Sequence, residues 1–581
     1  MTQDRPNIIL LSIDTLRADR MSVYGYDRPT TPNLERYADS SIICDNAFTL
    51  APFTQVSCMQ IFTSSRPLCY GGYDSGARGR PETLFRRLQK AGYQTTGLST
   101  AHWVSSYYGY NGLDTEHQLF TLNTIVGMAV VNMRDTLRVY HEGNMDAPTM
   151  LQTVTPVLDK FFSDADEYCE RALKDKKELH KSFPDSLLVA MAFDYRKVIK
   201  VTDKHRQEYQ RDNLAYINKH LGKIPGSHEW VARDWRLCRP ITQMVGEGIQ
   251  RVINKGIAVF DGAKAMMRRH RFKYYPDAKA LSGKVISLLD EQDPDKPFMI
   301  WAHYKDTHMP YVSGYGRDWY RQSPDFLEAV GHPRDTDPAF AFRSGKPKNA
   351  EGSKIHSDLY DASIRSTDEA IAKIFEAVDE KGLGENTLIV LCADHGEELG
   401  EHGDHWHTCL QYEHNIRVPM IFRRKGMQGK RIDSLVSLLD LSPTVVDLLG
   451  LTPAPDWEGD VVTSREVTER GSILLETFCR GNCTFEHRPV YLGVRSKTHK
   501  YIWKEYRDPS DKISPDGHQL YDLIEDPEEM NNLYRPDHPV AMGFDEVIAE
   551  RLAEIPEVSP QRIEKSFGQM GKDTVQRIRG V

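Results

Sequence analysis

The sequence predicts an α/β fold: a mostly parallel sheet sandwiched by helices, with an α-helical insertion and a small C-terminal antiparallel subdomain. Three observations lead there. Short apolar runs of strand length alternate with helix-length amphipathic stretches, the pattern of a parallel sheet covered on both faces. Residues 122–271 break that pattern with long helical periodicity and little strand signal. Near the end, HRPVYLGVRSKTHKYIWKEY reads as paired strands, followed by LYDLIEDPEEMNNLY.

Taken in order, RPNIILLSID is a buried strand that follows Pro6 and ends at Asp14. LFRRLQKAGYQTTGLS gives helix, turn and strand, with Gly92 as the helix stop. The stretch 122–271, exemplified by PTMLQTVTPVLDKFFSDADEYCERALKDKKEL, is expected to be either a cap over the sheet's active edge or a surface bundle for oligomerisation. KPFMIWAHY is a second buried strand. DASIRSTDEAIAKIFEAVDEKGLGENTLIVLCADHG is a helix, a Gly-rich turn and a strand with Asp394 and His395 at its end. VPMIF and the SLLDLSPTVVDLLGL helix follow. The boundaries drawn are 1–121 and 272–455 for the two parts of the core, 122–271 for the insertion, 456–543 for the C-terminal subdomain and 544–581 for a charged helical tail. Ligand sites of open parallel sheets lie beyond the carboxyl ends of the strands, and Asp14, His303, Asp394 and His395 sit at or just past such ends.

Composition narrows the function. The 581 residues are 40% hydrophobic and 27% charged, and 74 basic against 83 acidic side chains give a net charge of −9. That balance argues against a nucleic-acid binder with a large basic face. No apolar run approaches eighteen residues, so no membrane span is expected. The N-terminus lacks a signal-peptide pattern, and the nine cysteines are scattered and odd in number, so a reduced, cytoplasmic chain is expected. Cys479 and Cys483 in CRGNC are too few for a zinc knuckle.

Asp14, Asp394 and His395 can hold a divalent cation with mixed oxygen and nitrogen donors. One Asp at a strand end is ordinarily a turn or a helix cap, and the flanking sequence is what changes the reading. RPNIILLSIDTLRADRMSVYGYDRPTTPNLERYA, LQKAGYQTTG, KPFMIWAHYKDTHMPY, the Asp-His-Gly segment running on to GEELGEHG, YEHNIRVPMI and HQLYDLIEDPEEMNNL occur in that order from residue 5 to about 533. Together they resemble the sulfatase branch of the alkaline phosphatase superfamily; residues 122–271 are not covered. The resemblance implies Asp14, Asp394 and His395 as metal ligands and His308, in DTHMPY, as a substrate-oxyanion histidine. It places His407, in GDHWHT, near the leaving group, with His405 as competitor. Glu397, Glu398 and Glu401 read as a solvated helix face.

Which residue attacks is decided in APFTQVSCMQIFTSSRP. Sulfatases make formylglycine from Cys or Ser in the pattern Cys/Ser-x-Pro-x-Arg. Counting back from Phe62 and Thr63 puts the first position on Thr54, the Pro position on Val56 and the Arg position on Cys58. The methyl of threonine blocks aldehyde formation, and Gln60 and Phe62 spoil a pattern starting at Cys58. Thr54 is therefore the expected nucleophile and a metal ligand, with Ser57 and Cys58 as competitors. Superfamily members with a threonine there are phosphodiesterases, phosphonate monoester hydrolases and phosphoethanolamine transferases. His102 or Lys305 would replace the missing Arg. Two Asp, one His and one Thr suit Zn²⁺ or Mn²⁺, with Ca²⁺ or Mg²⁺ as alternatives. A second metal would draw on His303, Asp306 and His405. The expected function is hydrolysis of a phosphodiester or phosphonate monoester. The alternatives are a sulfatase without formylglycine, a soluble phospho-group transferase and a non-catalytic binding protein on this scaffold. The expected partner is a small anionic ester, which the basic-aromatic stretch 268–275 could attract. Self-association through the insertion or the tail is the other partner considered.

Overall fold

The computed structural model describes residues 5–70, 76–182, 193–223, 229–241, 245, 249, 252–253, 275–309, 311, 350–403, 405–407, 411–478, 490–505, 517–556 and 558–580. The CRGNC pair and residues 268–274 lie outside them. The strands are β1 (Asn7–Ile13), β2 (Ser41–Phe48), β3 (Gln94–Ser99), β4 (Thr115–Gln118), β5 (Phe298–Tyr304), β6 (Thr387–Ala393), β7 (Glu398–Leu399), β8 (His405–Trp406), β9 (Arg417–Val418), β10 (Met420–Arg423), β11 (Lys430–Ser437), β12 (Ser472–Phe478), β13 (Val490–Ser496), β14 (His499–Lys504) and β15 (Gln519–Asp522).

The central sheet runs β11-β2-β10-β6-β1-β5-β3-β4, with β9 paired to β2. β1 is parallel to β5 and β6, β3 to β4 and β5, and β2 to β11; β9 and β10 run antiparallel to their neighbours. The apolar run of β1 is buried along its whole length, as a strand covered on both faces must be. Alternation along β5 shows the two covers. Trp301 meets the rings of Phe62 and Phe85, on the helices Thr54–Thr63 and Leu84–Lys90. The Tyr304 hydroxyl, on the other face, bonds Ser282 Oγ of the helix Ala278–Leu289 at 2.9 Å. Thr83 caps the Leu84–Lys90 helix by accepting from Arg86 N, and Gly92 turns out of it at φ +92°.

Register now decides the chemistry. Ile13 lies opposite Tyr304 on one side and Ala393 on the other. The next residues, Asp14, Lys305 and Asp394, therefore leave three adjacent strands side by side at their carboxyl ends.

Helices Leu122–His141, Ala147–Ser182, Tyr195–Arg211, Asn213–His220 and Val231–Trp235 share an apolar core of their own, with Phe161, Tyr216, Trp230 and Trp235 at its centre. The Tyr168 hydroxyl donates to Phe120 O at 2.8 Å and ties this bundle to the sheet. Gln55 Nε2, beside Thr54, meets Met128 Sδ at 3.9 Å. The bundle thus reaches the helix that carries the expected nucleophile. At the other end, β12–β15 form a separate antiparallel sheet. The stretch after residue 543, expected as a charged helical tail, is helical and packs against this sheet. Helices Pro539–Glu554 and Pro560–Arg579 lay Ile548, Leu552, Ile563 and Val575 against Leu492, Val494 and Tyr501. Arg579 closes the pair by donating to the carbonyls of Leu552, Ala553, Ile555 and Val558.

Candidate active site

The residues expected as metal ligands converge on the Thr54 side chain. Its Oγ1 is 3.1 Å from His395 Nε2 and 3.4 Å from Asp14 Oδ1. His395 Nε2 is 3.7 Å from Asp14 Oδ1 and 3.6 Å from Asp394 Oδ2. All four residues are buried. Donors bound tetrahedrally at about 2.0–2.2 Å lie roughly 3.3–3.6 Å from one another, so these atoms stand close to the spacing that one cation needs. Two further observations fit a cation there. Among the described residues Asp394 Oδ2 is buried with no hydrogen-bond partner, while Oδ1 accepts from Thr15 N and His395 N at 3.1 and 2.8 Å. His395 Nδ1 faces Gly396 O at 2.8 Å. That carbonyl fixes the proton on Nδ1 and leaves the Nε2 lone pair turned toward Thr54.

Thr54 opens its helix behind Phe53, which supplies no side-chain cap. Val56 N and Ser57 N already donate to Phe53 O at 3.0 and 2.9 Å, and the helix dipole favours negative charge at this end. Ser57 and Cys58 fall behind it. Ser57 Oγ donates to Ala51 O at 2.6 Å, and burial, with Asp394 and Asp14 nearby, pushes the Cys58 thiol far up.

Lys305 extends past β5 to Asp14, Nζ to Oδ2 being 2.6 Å. Burial alone would raise the Asp14 carboxyl; Lys305 above all, then His308, His395 and His303, hold it well below its usual range. The ammonium lies over the rings of Trp103 and Tyr275, at 5.2 and 5.8 Å. It also takes the Asp14 oxygen that a second ion beside His303 would need, since His303 Nε2 is 3.9 Å from that same oxygen. Asp306 is buried, and the side chain of His405 lies outside the described residues.

His308 and His407 meet across the site, ring centroids 5.2 Å apart, and His407 lies 4.3 Å from the ring of His395. Burial drives His308 down to about 3 and His407 to about 4, so both imidazoles are neutral at pH 7. His308 Nδ1 donates to Met309 O at 2.7 Å, which leaves its lone pair on Nε2. His407 Nδ1 lies 3.2 Å from Glu397 Oε1. Burial pushes Glu397 up to about 8, against the pull of His395. A protonated Glu397 donates to Nδ1 and puts the His407 proton on Nε2.

The expected solvated helix of Glu397, Glu398 and Glu401 is therefore not what forms. Glu398 and Leu399 make a short strand against His405 and Trp406; Glu397 and Glu398 are 1% and 0% exposed. Glu401 binds Arg17. Sequence reasoning missed Glu397 because an acid-rich run mimics a helix surface; the only local signal was its place two residues after His395. It also missed Thr307, whose Oγ1 donates to Asp14 O at 2.6 Å.

His102 is placed differently from the other candidates. It is buried against the insertion, Nε2 3.5 Å from Asp164 Oδ2 and its ring stacked on Tyr107. It lines a cavity of about 240 Å³ with Arg78, Met128, Lys160 and Asp164. Among the described residues no hydrogen bond or ion pair joins it to Asp14, Thr54, Asp394 or His395.

This fold, with its candidate site at the carboxyl edge of the sheet, is that of the sulfatase branch of the alkaline phosphatase superfamily. The chain belongs to the sulfatase family: the family model described as Sulfatase matches residues 6–178 and 200–451. A second model, described as N-sulphoglucosamine sulphohydrolase, C-terminal, matches residues 400–556. An arylsulfatase of Clostridium perfringens is 22% identical over 541 residues, spanning 91% of this chain and 90% of that protein. An N-acetylglucosamine-6-O-sulfatase of Bacteroides thetaiotaomicron is 22% identical, spanning 91% and 83%. Arylsulfatase K of Mus musculus is 25% identical, over 43% of this chain and 49% of its own length. Among solved structures, one in complex with its substrate D-glucosamine-2-N,6-O-disulfate covers 98% of this chain and 99% of its own at TM-score 0.55 and 16% identity. The phosphonate monoester hydrolase of Agrobacterium radiobacter covers 95% of each at TM-score 0.53 and 16% identity. These likenesses establish the α/β fold with its C-terminal sheet. The family is generally dependent on a divalent metal. No helix among the described residues is long and apolar enough to cross a membrane.

Proposed function

We propose that the protein hydrolyses a phosphodiester or phosphonate monoester through a covalent intermediate on Thr54. The observation that carries this reading is the Thr54 hydroxyl itself, 3.1 Å from His395 Nε2 and 3.4 Å from Asp14 Oδ1 at an uncapped helix start. Asp14, Thr54, Asp394 and His395 would hold a Zn²⁺ or Mn²⁺ ion, which when bound supplies Lewis acidity and charge neutralisation at that place.

The residues then divide the work. Thr54 Oγ1 attacks phosphorus as the alkoxide, its proton having passed to solvent beforehand, and a new O–P bond forms as the bond to the leaving oxygen breaks. His407 Nε2–H protonates that oxygen while Nδ1 takes the proton of Glu397, so the imidazole ends neutral and the carboxyl ends ionised. Water next attacks phosphorus, giving its proton to His308 Nε2, and Thr54 Oγ1 departs. Lys305 keeps Asp14 ionised and sets a positive charge beside the developing negative one.

A sulfate ester is the second reading, and the names of the relatives favour it. The single hydroxyl of threonine favours phosphorus. With no second oxygen on Cβ, the intermediate cannot expel its group by C–O cleavage, and release must come by attack at the central atom.

Wild type and Thr54→Ala should be compared with added Zn²⁺ or Mn²⁺ on an aryl phosphodiester, an aryl phosphonate monoester, an aryl phosphomonoester and an aryl sulfate. Phosphodiester or phosphonate turnover falling at least ~10³-fold in the variant is expected. Sulfate turnover that survives in Thr54→Ala would place the nucleophile elsewhere and overturn the proposal.

A further inference from the structure

We propose that Glu398, His402 and His414 form a second metal site, for a divalent cation of the Zn²⁺ type, distinct from the Asp14 cluster. The backbone separates the two. Glu397, just before the strand β7, turns to His407 in the active site, whereas Glu398, the first residue of β7, lies against His402 and His414.

Three donor atoms, one each from Glu398, His402 and His414, lie within 4.8 Å of one another. Glu398 Oε2 is 3.9 Å from His414 Nε2. That is a few tenths of an ångström beyond the roughly 3.3–3.6 Å between tetrahedral Zn²⁺ ligands, a closure within the reach of side-chain rotation. The carboxylate is already oriented, since its Oε1 accepts from His402 N at 3.1 Å.

The imidazoles are prepared in the same sense. His402 Nε2 donates to Glu529 O at 3.2 Å, so the lone pair of the neutral ring is on Nδ1. Tyr412 lies flat on that ring, centroids 3.6 Å apart and planes 4° from parallel. His402 Nδ1 and His414 Nε2 are both buried without a hydrogen-bond partner among the described residues. Burying such atoms unsatisfied is costly, and a cation bound between them removes the cost. Two imidazole nitrogens and one carboxylate oxygen match a borderline transition ion better than Ca²⁺ or Mg²⁺. Glu529 follows β15, so the ion would fasten the loop after the catalytic strand to the C-terminal subdomain.

The test counts metal on the full chain. Wild type, Asp14→Asn/Asp394→Asn and His402→Gln/His414→Gln are stripped with a chelator and dialysed against Zn²⁺, and bound metal is measured by inductively coupled plasma mass spectrometry. The expected result is two equivalents for wild type and one for each double variant, with Zn²⁺ raising the Tm of Asp14→Asn/Asp394→Asn. Two equivalents retained by His402→Gln/His414→Gln would overturn the proposal. So would no bound Zn²⁺ in Asp14→Asn/Asp394→Asn, which keeps the proposed site intact and decides the matter even if the histidine variant does not fold.

Discussion

Lys305 is the cation nearest the buried Asp14, and much of the site depends on that one contact of 2.6 Å. Burial opposes ionisation of Asp14, and the ammonium is the strongest influence against it. Replacing Lys305 with Met would let the Asp14 carboxyl move up toward and past its usual value. A proton would then compete with the metal for Asp14 at a higher pH than in wild type. The expected outcome is a fall in kcat on the order of 10²-fold, with the acid limb of the kcat/KM profile displaced to higher pH. Profiles at saturating and limiting Zn²⁺ check it, because metal binding and transition-state stabilisation separate there. The sequence offered Lys305, alongside His102, as a stand-in for the missing Arg. Its partner was not legible, because which strand lies beside β5 is a matter of sheet order.

The segment between β6 and β9 shows how backbone geometry places these side chains. Gly396 N donates to Asn415 O at 2.8 Å, and this close approach requires a residue without a Cβ. An added Cβ at Gly396 would stand 1.9 Å from His414 O and 2.9 Å from its carbonyl carbon. Gly396→Ala must therefore push the two backbones apart, at a cost of about 3 kcal/mol by analogy with overpacked cores. His395, one residue earlier, would move with it. Faster thermal inactivation together with a reduced kcat is expected, measured as half-life at fixed temperature and initial rate on the same preparation. Equal half-lives for variant and wild type would mean that the close approach costs nothing to relieve. β1, β5 and β6 were readable because they are apolar runs of strand length, buried on both faces. The turn into β7 was not. Its two residues pair with His405 and Trp406 across a tight loop, and nothing in a run of acids announces so short a strand.

The joint between the sulfatase core and the C-terminal sheet is an ion cluster contributed by distant parts of the chain. Glu413, after the active-site loop, pairs with Arg495 at 3.0 Å and Lys500 at 3.1 Å, and Lys500 also binds Glu529. The sequence made the strands around Arg495 and Lys500 readable as a subdomain, but not their partners, because charges that pair across such distances leave no periodic trace. Burial would raise the Glu413 carboxyl; Lys500 first, then Arg495, bring it down to about 2 against a usual 4.5. A carboxyl with a depressed folded value stabilises fully above its unfolded value and loses that contribution as pH falls through the folded one. The joint should therefore weaken between about pH 4.5 and pH 2, the window set by those two values. Glu529 works in the opposite sense, its carboxyl being raised by burial despite Lys500, so the acid weakening belongs to Glu413. Glu413→Gln should cost on the order of 3 kcal/mol at neutral pH, as a broken buried pair does, and should flatten the dependence below pH 4.5. The fluorescence of Trp503, buried in β14, together with limited proteolysis between β11 and β12 across that pH range, reports the release. The same acid midpoint and slope in wild type and Glu413→Gln would show that the joint is held by the apolar contacts of the sheet and not by its charges.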